Sequence, residues 1–471
     1  MHKSIKVLKR DISSNEVCDL SNEKRLSFSI SALLFLAILF IIFTCLFIFK
    51  AEAHIPLLIC VGFLAAVGAV KGHSWKDLES GIVSGIRNGV QPIIVLCLIG
   101  ILIGVWEYSG AIPTVTVYAL NLIEPQHLLL TALFSCLVIS SLVGSSFTTV
   151  STIGVALIGV AAAAGVPLTW AAGAVICGAC FGDKMSPMSD TTNFAAGVGE
   201  LPIFKHIRHM AGTTIPALLI TILLFFFMGR SLTAAPASTE NIQAIINGIE
   251  GTVNISVWAL LSPLLVIVLA VRRTPVIPSL AAGIVSAGIL AALIQPDASI
   301  SSFLSAMQNG PVFSADTEAV EKILNRGGLQ SMMGSVSLII IAFALGGLME
   351  KIGLITSLLE GVIKGIHTKG RLVFSTVSSS IGMNLATGEQ YLSILIPGQS
   401  FKKLYDKLGI DRKHLSRSLE DGGTLINPMI PWGVSGAFMS SALGVPVIEY
   451  LPFVFFLYLS PLFSILFGFR K

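Results

Sequence analysis

Charge is scarce in this chain. Only 12% of its 471 residues are Asp, Glu, Lys or Arg, against about a quarter in a soluble domain. Hydrophobic residues make up 54%, and the mean hydropathy is +0.85. A water-soluble fold cannot hide that much apolar surface, so the chain reads as an all-α polytopic membrane protein. Cysteine is absent from the second half: all seven, at positions 18, 45, 60, 97, 136, 177 and 180, lie before it. Cys177 and Cys180 form a lone C-x-x-C in apolar surroundings. With no second pair they read as packing residues, not as a redox or metal site. No Walker A sequence, nucleophile elbow or H-E-x-x-H occurs. Nothing therefore points to ATP drive or to an enzyme, and no cofactor is expected. The net charge of +4 sits mostly in loops beside apolar runs, which suits a membrane protein and implies no nucleic-acid partner.

What is present is a series of apolar runs. Candidate spans are 28–49, 55–71, 90–107, 112–124, 128–165 (broken), 169–198 (broken), 211–229, 256–271, 277–294, 333–350, 353–365, 371–400 (broken), 414–442 (broken) and 447–468. The run from Phe28 to Phe49 follows a polar tail carrying Lys3, Lys6, Lys9 and Arg10. No small-residue cleavage site follows it, so it reads as a retained first helix.

The chain repeats itself. Arg87-Asn88-Gly89-Val90-Gln91 resembles Arg326-Gly327-Gly328-Leu329-Gln330. Gly104 to Ile112 resembles Gly347 to Ile355, placing Glu107 and Glu350 at equivalent positions. Val143-Gly144-Ser145-Ser146-Phe147 lines up with Thr387-Gly388-Glu389-Gln390-Tyr391, and Gly182 to Met188 with Gly423 to Met429. All four matches fall in order at an offset of about 240 residues. The expected organisation is a tail over 1–27, a first transmembrane repeat over 28–229, an inter-repeat loop over 230–255 and a second repeat over 256–471.

Loop charge sets the relative sense of the halves. Lys402, Lys403, Lys407, Arg412, Lys413 and Arg417 crowd one loop, while its first-half counterpart, about 158–173, is uncharged. Less strongly, Lys71, Lys76 and Arg87, with Asp77 and Glu79 beside them, answer to a stretch bearing Asp297, Asp316, Glu318 and Glu321 against Lys322 and Arg326. Equivalent loops then lie on opposite faces, which is an inverted-topology repeat with both termini cytoplasmic. One observation disagrees: His367, Lys369 and Arg371 would fall outside, unless a short span does not cross.

The chemistry concentrates in the breaks. Gly182 to Asn193 carries Asp183, Lys184, Ser186, Asp190, Thr191 and Asn193 around Pro187; Ser145 and Ser146 follow Gly144; Glu389 follows Gly388; Asn427 precedes Pro428. Such residues cannot face lipid. Broken helices free carbonyls and amides, and hydroxyl, amide and carboxylate oxygens suit a hard cation such as Na+. Asp183 and Asp190 are the expected cation- and proton-binding pair, with a structural ion network as the competing reading. Lys184 has three readings: a charge partner for Asp183, an anion contact or a snorkelling residue. Glu107 and Glu350 serve transport or cap helix ends. Glu420 and Asp421 bind ions or pair with Arg417. His206 and His209 read as loop surface residues, and Trp432 as packing.

Gly182 to Asn193, followed by His206-Ile207-Arg208-His209-Met210, closely resembles the signature of the NhaC family of Na+/H+ antiporters. Leu415 to Trp432 resembles the family's second signature, although Asn427 stands where the family favours small hydroxyl residues. The likeness runs from about residue 28 to 468. It implies a bacterial inner-membrane secondary antiporter with inverted repeats. The family also includes relatives that exchange malate and lactate with Na+ and H+. The expectation is therefore exchange of Na+ or Li+ for H+ by alternating access. The alternative is a Na+- and H+-coupled organic-anion antiporter, with half-helix N-termini and Lys184 holding carboxylate. Expected partners are Na+, H+ and membrane lipid, with small organic acids and a second copy of the chain as further candidates.

Overall fold

The computed structural model describes residues 26–122, 124–232, 239–315, 317–363 and 365–470, so the tail expected over 1–27 lies almost wholly outside them. Every regular element there is helical. Among the described residues, seven helices are long and apolar enough to cross a membrane. Two bent pairs, kinked by 87° and 88°, bring the count to nine. The chain is a multi-pass membrane protein.

Packing divides it into two units: residues 1–85 with 344–364, and residues 86–343 with 365–471. Packing asks which helices touch, whereas repeats ask which are alike, so the two partitions differ. The smaller unit gathers the helices Phe28–Phe43, His54–Val70 and Leu354–Ile363. Glycine allows its closest approach: a Cβ at Gly347 would sit 2.3 Å from the Gly81 carbonyl oxygen. In the larger unit, the stretch read from sequence as an inter-repeat loop holds the helix Thr239–Thr252. Its apolar residues are too few for a span, which is why the sequence hid it.

The larger unit carries all four breaks. Its relevant helices are α1 (Pro125–Val143), α2 (Ser146–Ala163, with one π turn), α3 (Leu168–Met185), α4 (Asp190–Val198), α5 (Ile203–Ser231), α6 (Lys369–Thr387), α7 (Gln390–Lys407), α8 (Lys413–Gly423), α9 (Val434–Leu443) and α10 (Phe455–Phe469). α1 ends because Gly144 turns left-handed (φ 72°), and Ser145 then caps α2 by accepting from the Thr148 amide. α6 ends identically: Gly388 has φ 66°, and Glu389 caps α7 by accepting from the Leu392 amide. Each glycine abuts its own half's second break. A Cβ at Gly144 would lie 2.6 Å from the Met188 Cβ, and one at Gly388 would lie 2.8 Å from the Trp432 oxygen. α3 stops at Ser186, which the following Pro187 pushes into the extended region.

The direction of each helix follows from its contacts. Glu200 pairs with Lys402 and Arg412, Lys205 with Asp411, and Lys369 with the Arg470 carbonyl, so these groups share one end. α5 runs from that end for 29 residues, and Gly229 near its far terminus abuts the Gln126 carbonyl at the start of α1. α3 lies alongside α1 in the same sense: Gly178 meets Leu133, and Gly182 meets Leu137. α3 therefore enters from the far end, whereas α8 enters from the basic end. The link 164–167 is too short to leave the far end, so 125–163 goes in and comes back. Likewise 369–407 enters from and returns to the basic end. The spans expected over 128–165 and 371–400 are thus hairpins of two oppositely directed helices, not single broken crossings. This resolves the misplaced basic residues: Lys369 and Arg371 start a hairpin whose other leg ends beside Lys402 and Lys407.

Candidate functional site

The hairpin tips and the second breaks converge. Asp183, in the last turn of α3, sends Oδ2 to the start of α2. There it accepts hydrogen bonds from the Ser146 backbone N–H at 3.1 Å and the Ser146 hydroxyl at 2.7 Å. A helix N-terminus favours an anion there. The other oxygen, Oδ1, is buried and makes no hydrogen bond within the described protein. Glu420, on α8, is fully buried. Its Oε1 accepts from the Thr424 hydroxyl at 3.0 Å and the Thr192 hydroxyl at 3.5 Å, and its Oε2 has no hydrogen bond. Both carboxylates line one cavity of about 10 Å³, together with Ser146, Lys184, Thr191, Gln390, Thr424 and Ser435. That volume holds about one water-sized particle.

Three residue pairs in this wall occupy equivalent positions in the two halves: Ser146 and Gln390, Asp183 and Thr424, Lys184 and Leu425. Residues from both sets of matching strings therefore share the cavity wall, and they furnish it with different chemistry. The first half contributes a carboxylate and an ammonium where the second has a hydroxyl and an isobutyl group.

Lys184 corrects two of its three readings. Its ammonium is buried and ion-paired with Asp421, not with Asp183, and it does not snorkel. Asp421 Oδ1 also accepts from the Ser460 hydroxyl at 2.7 Å. Arg417, the partner expected for Asp421 or Glu420, instead donates from Nε to the Ser464 hydroxyl at 3.1 Å. His206 and His209 are corrected too. Both lie on α5, not in a loop. His206 is fully buried with Nδ1 2.9 Å from the Ser416 hydroxyl, and His209 stacks edge-on with His414 at 4.7 Å. Lys205 and Arg208 of the same stretch are exposed, so only its histidines face protein.

The remaining candidates stand outside the cavity wall. Asp190 is exposed at the start of α4, where its Oδ2 accepts from the Tyr391 hydroxyl at 2.5 Å. Ser145 and Glu389 are helix caps. Ser186 donates to the Ser141 carbonyl at 2.8 Å, and the Asn193 amide donates to the Pro187 and Ser189 carbonyls. Asn427 is fully committed: its amide donates to Asn384 and Gly388, and its oxygen accepts from the Ser435 N–H at 2.7 Å. These groups hold the unwound backbone, whose freed polar atoms need partners inside a membrane. Glu107 is buried near the end of the helix Val90–Tyr108, and Glu350 is exposed near the end of Met333–Lys351. Trp432 packs and donates from Nε1 to the Leu385 carbonyl at 3.0 Å. Sequence reading missed Thr192, Thr424 and Tyr391. The repeat alignment carried a signal for two of them, since Thr424 matches Asp183 and Tyr391 matches Phe147.

Known proteins share this arrangement of sequence. The profile of the Na+/H+ antiporter family matches residues 178–470, which include the end of α3, α4 and every second-half element of the cavity. The chain is 70% identical over 452 residues to the Na+/H+ antiporter NhaC of Bacillus subtilis, covering 96% of this chain and all of that protein. It is 49% identical over 447 residues to the Na+/H+ antiporter NhaC of Alkalihalophilus pseudofirmus, with 95% and 96% covered. A malate-2H+/Na+-lactate antiporter of Bacillus subtilis is 34% identical over 408 residues, covering 86% of this chain and 87% of that protein. Matches of this extent and identity make the chain a member of the Na+/H+ antiporter family.

Proposed function

We propose that this protein exchanges Na+, or Li+, for H+ across the bacterial inner membrane by alternating access. The observation that carries this reading is the cavity between the repeats. It is sized for one small particle, and each of its two carboxylates keeps an unbonded buried oxygen, Asp183 Oδ1 and Glu420 Oε2. A buried anionic oxygen must take a proton or a cation. Na+ and H+ then compete for the same atoms, and occupancy by one excludes the other. Neutral oxygens of Ser146, Thr191 and Thr424 complete a hard-cation shell. The opposed entry of α3 and α8 supports two inverted repeats, whose rocking exposes the site to either face in turn. We assign the basic end to the cytoplasmic side by its excess of Lys and Arg, and propose that both termini are cytoplasmic too. Organic-anion exchange at this same cavity is disfavoured, because Asp421 already neutralises Lys184 and a dicarboxylate exceeds the space.

Proteoliposomes containing a pH-sensitive dye test this directly. A Na+ gradient, with no organic acid present, should drive proton movement that K+ does not. Silence until malate or lactate is supplied would overturn the proposal in favour of organic-anion exchange.

A further inference from the structure

Phe147 and Phe438 stack with ring centroids 4.4 Å apart and planes tilted by 20°. Phe147 sits in the first turn of α2, and Phe438 lies midway along α9, so each half of the chain supplies one ring. Phe438 is fully buried and Phe147 half-buried. Neither ring lines the small cavity that holds Asp183 and Glu420, here called the inner cavity. A second, outer cavity of about 450 Å³ includes Val155 of α2 and Ser441, Ala442 and Leu443 of α9 in its wall. It reaches the surface at the exposed residues Asn309 and Gly444. The amide of Asn325 and the hydroxyls of Ser331 and Ser441 are bonded to Phe313, Gly328 and Ser335, so this cavity offers passage and not ligands.

The stacked rings lie between the two cavities. Ser435 lines the inner one, whereas Ser441 and Ala442 line the outer one. Residues three or four apart share a helix face, so Ser435, Phe438, Ser441 and Ala442 form one stripe on α9 with the ring at its middle. From Ser435 to Ser441 that stripe is about 9 Å long. α2 runs alongside in the same sense: Ser146 lines the inner cavity, Val155 lines the outer one, and a Cβ at Gly154 would lie 3.6 Å from the Leu443 side chain. The two helices are anchored separately. Val434 at the start of α9 donates its N–H to the Gly388 carbonyl at 2.8 Å, while Ser146 at the start of α2 is bonded to Asp183. A shift of one half against the other therefore parts the rings without unwinding either helix.

We propose that Phe147 and Phe438 form the outer gate of the inner cavity: stacked, they seal it from the outer vestibule, and their separation admits the ion. This rests on the reading of the inner cavity as the cation site. A dry aromatic contact stops a hydrated ion, which would have to shed its water with no oxygen to replace it. Such a contact is also easy to break. It satisfies no hydrogen bond, so parting the rings strands no polar atom, and the stacking itself is weak.

Cys180 lines the inner cavity one turn before Asp183, which provides a native reporter. The test uses full-length protein with Cys180 as its sole cysteine, in membrane vesicles of either orientation. Ag+, a small soft cation that thiolates bind, is added outside in chloride-free buffer, and the thiol still free is counted with a maleimide after unfolding. Phe147→Ala combined with Phe438→Ala should speed the blocking of Cys180 by about tenfold from the face opposite the basic end. Blocking from the basic face should change little. Phe147→Tyr, which keeps a ring at a half-buried position, should leave both rates near wild type. Where the double variant fails to fold, Phe147→Ala alone should shift the rate in the same direction. Wild-type blocking rates in a folded Ala variant overturn the gate. So does equal acceleration from both faces, which is general loosening of the packing. Blocking needs no exchange of Na+ for H+, so a protein silent in flux assays would fail the proposed function and still report on the gate.

Discussion

Lys184 and Asp421 form a buried ion pair that ties the end of α3 to α8, one residue from each of the two carboxylates, Asp183 and Glu420, that line the inner cavity. The pair joins the halves where both helices break. Removing one member leaves an uncompensated charge in a low-dielectric setting, which costs about 3–5 kcal/mol. Lys184→Met should therefore lower the thermal unfolding midpoint in detergent sharply. The double change Lys184→Met with Asp421→Leu should recover much of the loss. A single variant that melts like wild type would show that the pair contributes no stability.

Asp183 and Asp190 looked alike in sequence, yet only Asp183 lines the cavity. Asp183→Asn and Glu420→Gln should each abolish Na+-driven proton flux in proteoliposomes, because an amide keeps shape and an oxygen but cannot exchange a proton for a cation. Asp190→Asn should retain measurable flux. Full loss in Asp190→Asn with near-normal flux in Asp183→Asn would reassign the ion site.

Competition between Na+ and H+ for one carboxylate has a measurable sign. Apparent Na+ affinity should weaken as pH falls, by up to about tenfold per pH unit below the site's pKa when one proton competes. Flux titrations at several pH values read this directly. A Na+ affinity independent of pH would place the two ions on separate groups.

Opposed hairpins make a topological prediction. On a cysteine-free background, Thr169→Cys should react with an impermeant maleimide from the periplasm, and Lys407→Cys from the cytoplasm. Labelling of both from one side would exclude inverted repeats.

At the basic end, hydrogen bonds from Lys402 and Arg412 hold the Glu200 carboxyl below its ordinary value. A depressed carboxyl pKa contributes stability above the unfolded value, about 4.3, and that contribution is lost as pH falls through the folded value. Glu200→Gln should therefore flatten the decline of thermal stability below about pH 5 and change little at pH 7. Because Glu200 is exposed, the effect should shrink in high salt. Identical acid profiles for the two proteins would show that the pairs do not form in solution.

The amino-acid sequence by itself determined the membrane class, most helix positions, the internal repeat and the four breaks. Each of these rests on local signals: long apolar runs, Gly and Pro at fixed places, and matching strings about 240 residues apart. Tertiary structure alone decided which polar residues face a cavity and which brace a break. Asn427 and Glu389 carry the chemistry of ligands, but hydrogen bonds to freed backbone atoms claim them. Lys184 stands beside Asp183 in sequence, yet successive residues of a helix point about 100° apart, so one faces Asp421 and the other Ser146. Whether a broken segment crosses or returns was likewise invisible, because apolar content is the same either way. Contacts far apart in sequence, Gly178 with Leu133 and Lys369 with Arg470, settled the direction of each segment.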